Sequence, residues 1–133
     1  MIEKYLKEYN EYKTKIKLLE IEIDDSISLG SKSDDPLPGR ASARSNVSVV
    51  ERQAKHITDL QSEVRQLKKL VSKIDEVVNT LNKDEQEFIR LRYFEDVPMY
   101  NLSLKYHTHL DTMYKRKDVI LTKLEHYSNY ILN

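Results

Sequence analysis

The chain has no cysteine, only two glycines and only three prolines among its 133 residues. Without thiols there is no disulfide framework, no zinc–cysteine site and no thiol chemistry. With glycine only at positions 30 and 39, no glycine-rich loop can cradle a phosphate. So few turn formers disfavour a sheet sandwich and favour a helix-rich, all-α protein. No sign of charge dominates, because 22 basic residues face 22 acidic ones and the formal net charge is zero. A protein that coats nucleic acid in bulk is therefore not expected, and any binding to a polyanion must come from a local basic face. The first residues, MIEKYLKEYNEYK, are charged throughout and suit neither a signal peptide nor a membrane span. A cytoplasmic location and no membrane partner are expected. The length suits one domain, or one small domain plus an arm.

What the chain does have is helical periodicity. Across residues 1–28, Ile2, Tyr5, Tyr9, Tyr12, Ile16, Leu19 and Ile23 alternate in spacings of three and four, an a/d heptad with charged residues outside it. This predicts an N-terminal amphipathic helix, either a bundle helix or a coiled-coil strand. Residues 29–46 contain both glycines, two of the three prolines and many serines, which predicts a flexible linker. Arg40 and Arg44 in it can reach a phosphate backbone, against the plainer reading of a solvated loop. From 47 to 81 the heptad resumes through Val50, Ala54, Ile57, Leu60, Val64, Leu67, Val71, Ile74, Val78 and Leu81, with Ser45 or Asn46 as its N-cap. The simplest arrangement is a helical hairpin whose two seams meet. Leu70 and Val77 widen the stripe, and a homodimer is expected; a monomeric hairpin packed on the C-terminal part is the alternative.

Residues 82–133 read as short helices around a turn. Asn82 or Asp84 can cap a helix over EQEFIRLRYF, with Phe88, Leu91 and Tyr93 or Phe94 on its apolar side. Pro98 ends it and opens the next, which runs to about Tyr106 with Met99, Leu102 and Tyr106 inward and small Ser103 at a close helix approach. After HTHLD a third helix is expected over about Thr108–Leu124, with Thr108 and Asp111 as a capping pair and Met113, Ile120 and Leu124 in the core. That leaves Leu110, Asp111, Tyr114, Lys115, Arg116 and Lys117 for solvent or a partner. The charge is uneven: Met99–Leu124 carries a net +3, and Leu81–Pro98 a net −2. This is the order of parts in a helix–turn–helix DNA reader, in which the second helix presents its N-terminal residues to base edges and its cations to phosphates.

The segment LRYFEDVPMYNLSLKYHTHLDTMYKRKDVILTKL resembles region 4 of bacterial sigma factors. It resembles still more the sigma-region-4-like domains of phage transcriptional regulators of the ArpU/RinA type. The likeness rests on the LRYF element, the proline and leucine leading into the second helix, Ser103 at a usual alanine position, and TMYKRK followed by spaced apolar residues. The N-terminal helix, the Ser/Gly/Pro-rich break and the long amphipathic helix are similar as well. The resemblance implies a long helical hairpin or coiled-coil arm followed by a C-terminal sigma-region-4-like helix–turn–helix. It also implies a phage- or prophage-encoded late-gene activator that binds double-stranded DNA and acts with RNA polymerase. His107 stands where a glycine usually makes the turn, so a left-handed backbone is expected there. His109 and Leu110 replace the usual serine cap and a polar reading residue. No promoter-melting region is present, which implies a regulator and not a complete sigma factor.

Nothing in the sequence indicates an enzyme. No serine–histidine–aspartate spacing is suggested, and His107 and His109 lack cysteines or placed carboxylates to complete a metal shell. Neither a cofactor nor a metal is expected. Two further readings remain: a DNA-packaging recognition subunit resembling small terminases, which form large rings, and a protein-interaction module acting on RNA polymerase.

Overall fold

The computed structural model describes residues 1–32 and 43–132. All the regular structure among them is helical, as the composition leads one to expect. In chain order the elements are α1 (Ile2–Lys32), α2 (Ala43–Asn79), α3 (Lys83–Ile89) with a π-helical continuation (Arg90–Phe94), α4 (Met99–Lys105), α5 (Leu110–Glu125) and α6 (Ser128–Leu132). The chain forms two compact units: Lys13–Lys68, and Met1–Tyr12 together with Lys69–Asn133.

The break between α1 and α2 is shorter than the 29–46 expected. α1 runs through Gly30 to Lys32, and α2 begins at Ala43, so Ser45 and Asn46 lie inside it and neither is its N-cap. A glycine near a helix end costs only about 1 kcal/mol relative to alanine, and the two prolines of the break come later, at 36 and 38. Arg40 lies outside the described residues.

In the unit Lys13–Lys68, Ile16, Ile23, Leu60 and Val64 are buried. Gln53 donates to the Ser26 carbonyl at 2.8 Å, and His56 faces Glu22 at 3.6 Å. Lys68 faces Glu20 at 3.7 Å. Higher numbers on α2 meet lower numbers on α1, so these parts of the helices run antiparallel. The seam expected at Val50 and Ala54 does not close, and Val50 is 63% exposed. The reason is visible in α1: beyond Ile23 its next heptad positions are Ser26 and Gly30, which offer no apolar side chain to cover Val50.

In the other unit, Ile2, Leu6, Ile74, Phe88, Ile89, Leu102, Met113, Ile120 and Leu124 are almost fully buried. Leu6 lies off the expected seam, while Tyr5 on it is only half-buried. The start of α1 packs on more than one side, which broadens its apolar stripe beyond two positions per heptad. Tyr9 donates to Asp75 of α2 at 2.6 Å and stacks on Phe94 with ring centroids 4.0 Å apart. At the first residue of α1, Ile2 donates its backbone N–H to Glu125 of α5 at 3.0 Å. Val77 is buried within this unit, so it is not left over for a partner.

α3 opens with a capping box. The Asn82 side chain accepts from the Glu85 backbone at 2.8 Å, and Glu85 accepts from the Asn82 backbone at 3.3 Å. The expected single helix to Phe94 instead widens after Ile89 into a π turn, in which Glu95 N–H reaches the Arg90 carbonyl at 2.8 Å. Leu91 and Tyr93 are thereby both buried, and Phe94 is half-buried. The turn ends at Asp96, whose φ is 58°.

The junction between α4 and α5 is a four-residue turn. His107 is left-handed with φ 51°, as its glycine-like position predicts. Its N–H donates to Leu104 O at 3.3 Å, and the Thr108 N–H donates to Ser103 O at 2.9 Å, the paired bonds of a Schellman closure. That closure uses Thr108 to finish α4. Its hydroxyl turns back to Tyr106 O at 2.9 Å and does not cap α5. α5 therefore starts at Leu110, with His109 as an N-cap that makes no side-chain bond. Ser103 is buried with its hydroxyl on Tyr100 O at 2.5 Å. α6 is a separate helix that buries Ile131 and leaves Tyr130 71% exposed.

A left-handed non-glycine residue costs about 1–2 kcal/mol, less the entropy that glycine itself loses on folding. His107→Gly should raise stability by about 1 kcal/mol and the melting temperature by a few degrees, measured by thermal unfolding. A lowered melting temperature would mean that the His107 side chain holds the turn.

Candidate nucleic-acid interface

α5 turns Met113, Ile120 and Leu124 into the core, and that fixes what its other faces present. Leu110, Asp111, Tyr114, Lys115 and Arg116 are all exposed, as the spacing predicts. Leu110 and Tyr114 lie one turn apart on one flank, and Asp111 and Lys115 one turn apart on the outermost line. Arg116 lies on the opposite flank, with its guanidinium 5.9 Å from the centre of the Tyr106 ring. These residues share the outer surface of one helix.

Lys117 is different. Its side chain is only 20% exposed and its ammonium lies 3.5 Å from Glu3 of α1. Glu3 also accepts a 2.6 Å bond from the Tyr93 hydroxyl. The position follows from helical geometry, since 117 is one turn from the buried Met113 and from Leu121. Lys117 thus belongs to a tie between α1 and α5, and does not join the exposed set predicted for it. The Tyr93 bond, with Lys117 and Lys7 adding to it, holds the Glu3 carboxyl below the usual range despite partial burial. Burial and the Glu3 carboxylate together push the Tyr93 phenol well up.

Two more cations of the α4–α5 region are similarly engaged. Lys105 meets Glu87 at 2.9 Å, and Lys123 meets Glu85 at 2.7 Å. Each lysine holds its carboxyl partner below the ordinary range, with help at Glu87 from the Tyr106 hydroxyl at 3.1 Å. Three of the five positive charges behind the net +3 are therefore balanced by Glu3, Glu85 and Glu87. No linear signal could have revealed this, because the partners lie 18 to 114 positions apart in sequence. Lys115 and Arg116 have no carboxylate partner among the described residues, and Asp111 and Asp118 share their helix.

An open groove runs beside this surface, lined by Asn82, Asp84, Tyr106, Thr112, Lys115 and Val119 among others. Among the described residues, no three histidine, aspartate or glutamate side chains lie together in a way that could hold a metal ion. No described helix is long and apolar enough to cross a membrane.

The model of a family described as a protein of unknown function, DUF722, matches residues 1–126. The chain belongs to this family. The match spans both compact units and ends one residue past α5, so the whole of the surface just described lies within it. No curated protein and no solved structure matches the chain.

Because Glu3 has a depressed pKa in the folded state, its contribution to stability is full above the unfolded value of 4.5 and is lost as pH falls below it. Glu85 behaves in the same way. The urea midpoint should be level near neutrality and fall below about pH 4.5. Glu3→Gln should flatten part of that fall and lower stability at pH 7 by about 0.5–1 kcal/mol, a modest figure because solvent screens a partly exposed pair. An unchanged acid limb in the variant would remove Glu3 from the tie.

Proposed function

We propose that the chain is a sequence-specific DNA-binding transcriptional regulator, of the kind that phage and prophage late-gene activators represent. In this reading α4, the turn at His107 and α5 form a sigma-region-4-like helix–turn–helix, and α5 lies in the major groove. α1 and α2 form the hairpin arm that carries and pairs it. One observation carries the reading. A short helix and a longer one are joined by a closed four-residue turn over a buried serine, and the outer face of the longer helix keeps Lys115 and Arg116 without carboxylate partners among the described residues. Leu110, Asp111 and Tyr114 stand at the N-terminal end of that face, where a reading helix meets base edges. Exposed Leu18 and Ile21 on α1, with Val49 and Val50 on α2, support self-association through the arm, here as a homodimer.

A second reading has its own observation. Tyr100 and Leu104, one turn apart on α4, are 62% and 58% exposed. An apolar pair of this kind suits a protein partner, and RNA polymerase is the partner that a sigma-like regulator would use.

With two unpaired cations per reading surface, the logarithm of affinity should fall with the logarithm of salt with a slope of about −2 per protomer. That slope is shallow for a DNA reader. A gel shift on duplex DNA flanking the gene, with mass measured by light scattering, tests the proposal. Lys115→Ala with Arg116→Ala should weaken binding more than tenfold at low salt without moving the melting temperature. Lys117→Ala should weaken binding less but lower the melting temperature. If the double variant binds as the parent does, α5 is not the interface. A ring of eight or more subunits would favour a packaging subunit, and a dimer that ignores DNA but retains polymerase would favour the second reading.

A further inference from the structure

Resting on the DNA reading above, the structure assigns α5 a preference for pyrimidines: thymine methyl groups contacted by Leu110 and Tyr114, beside a cytosine whose amino group donates to Asp111. The first two turns of a reading helix are the part that reaches base edges. Here those turns expose Leu110 by 38% and Tyr114 by 45%, one turn apart on one flank, with Asp111 exposed next to them. Neither apolar side chain is drawn into the core, which is filled from the same helix by Met113 and Ile120.

Asp111 is not occupied elsewhere. It does not bond the exposed helix start through an N-cap, a position held by His109 without a side-chain bond, and it has no ion pair among the described residues. A free carboxylate at a base edge can only accept. Guanine shows two acceptors in the major groove and would repel it. Adenine shows a donor beside an acceptor, which satisfies a carboxylate only in part. Cytosine shows its amino donor and no acceptor there. The thymine methyl is the one apolar group in the major groove, and it suits Leu110 and Tyr114. The usual reader of guanine, a bidentate arginine, is not available from this end, because Arg116 lies over Tyr106 on the other flank. From Leu110 to Tyr114 the helix rises about 6 Å, so the thymine and the cytosine fall within about three base pairs of each other.

The test is selection of duplexes from a random pool by the full chain, followed by sequencing. A recurring thymine-and-cytosine step on one strand is expected. Replacing its thymines with deoxyuridine removes only the methyl groups and should weaken binding about fourfold for each methyl lost. Asp111→Asn should move the selected cytosine to adenine, because an amide can both donate to and accept from that base. Asp111 is exposed, so its melting curve should not change and serves as the control for folding. A guanine-centred motif, indifference to deoxyuridine, or an Asn variant that still selects cytosine would each overturn the assignment while leaving DNA binding in place. Retention of duplexes without any motif would do the same. Failure to retain any duplex at low salt would overturn the DNA reading itself.

Discussion

The attachment of the first turn of α1 to the C-terminal helices is the constraint on which the unit Met1–Tyr12 with Lys69–Asn133 depends. Ile2 and Leu6 are as deeply buried as Phe88, Leu102 and Met113, although more than 80 residues separate them in sequence from those side chains. The polar bonds run along the same contact. Ile2 donates to Glu125, Tyr93 to Glu3, and Asn10 to the Phe94 carbonyl. Short helices such as α3, α4 and α6 bury too little surface to persist alone, since nucleation costs more than a turn or two returns. The start of α1 ties α2, the π turn and α5 to one another, and so holds the frame in which they sit. Closing so long a loop is entropically expensive only logarithmically in its length, which is why a distant segment can serve.

The same tie shapes the electrostatics. The carboxylates of α1 and α3 neutralise Lys105, Lys117 and Lys123, and what remains positive on α5 among the described residues is an exposed pair. Attraction to any polyanion is then weak and local. In the proposed reading, discrimination between sequences comes from shape, from apolar contact and from the direction of individual hydrogen bonds. A chain of zero formal net charge would in that reading not be held by every stretch of nucleic acid it meets.

Much of the helical content was legible because period and punctuation agree. The heptads of α1 and α2, the Asn82 cap and Pro98 before α4 each have a local cause, whereas the left-handed turn at His107 was expected from the resemblance alone. Leu6 was not legible, because a heptad seam describes contact with one partner helix and Leu6 is buried where α1 meets several elements. The open seam at Val50 follows from what α1 lacks opposite it, which a reading of α2 alone does not consider. Of the predicted surface residues, Leu110, Asp111, Tyr114, Lys115 and Arg116 are exposed, and Lys117 is turned inward by Glu3. Its departure is a pairwise effect across 114 positions, beyond any window on the chain. Thr108 was misjudged for a related reason, since one residue cannot both close α4 and open α5.

The π turn at Arg90–Phe94 carries a consequence for how this sequence can change. It holds one more residue per turn than the helix that leads into it. Each residue of an α-helix advances the chain by about 100° around its axis. The wide turn takes up one residue without turning the helix on either side of it. Loss of a single residue between Arg90 and Phe94 would let α3 continue as a regular helix, with Phe88 and Ile89 still on one face with the apolar residues that follow. This stretch should therefore accept a one-residue deletion better than α5 does, where a lost residue turns everything beyond it by that amount and takes Ile120 and Leu124 out of the core.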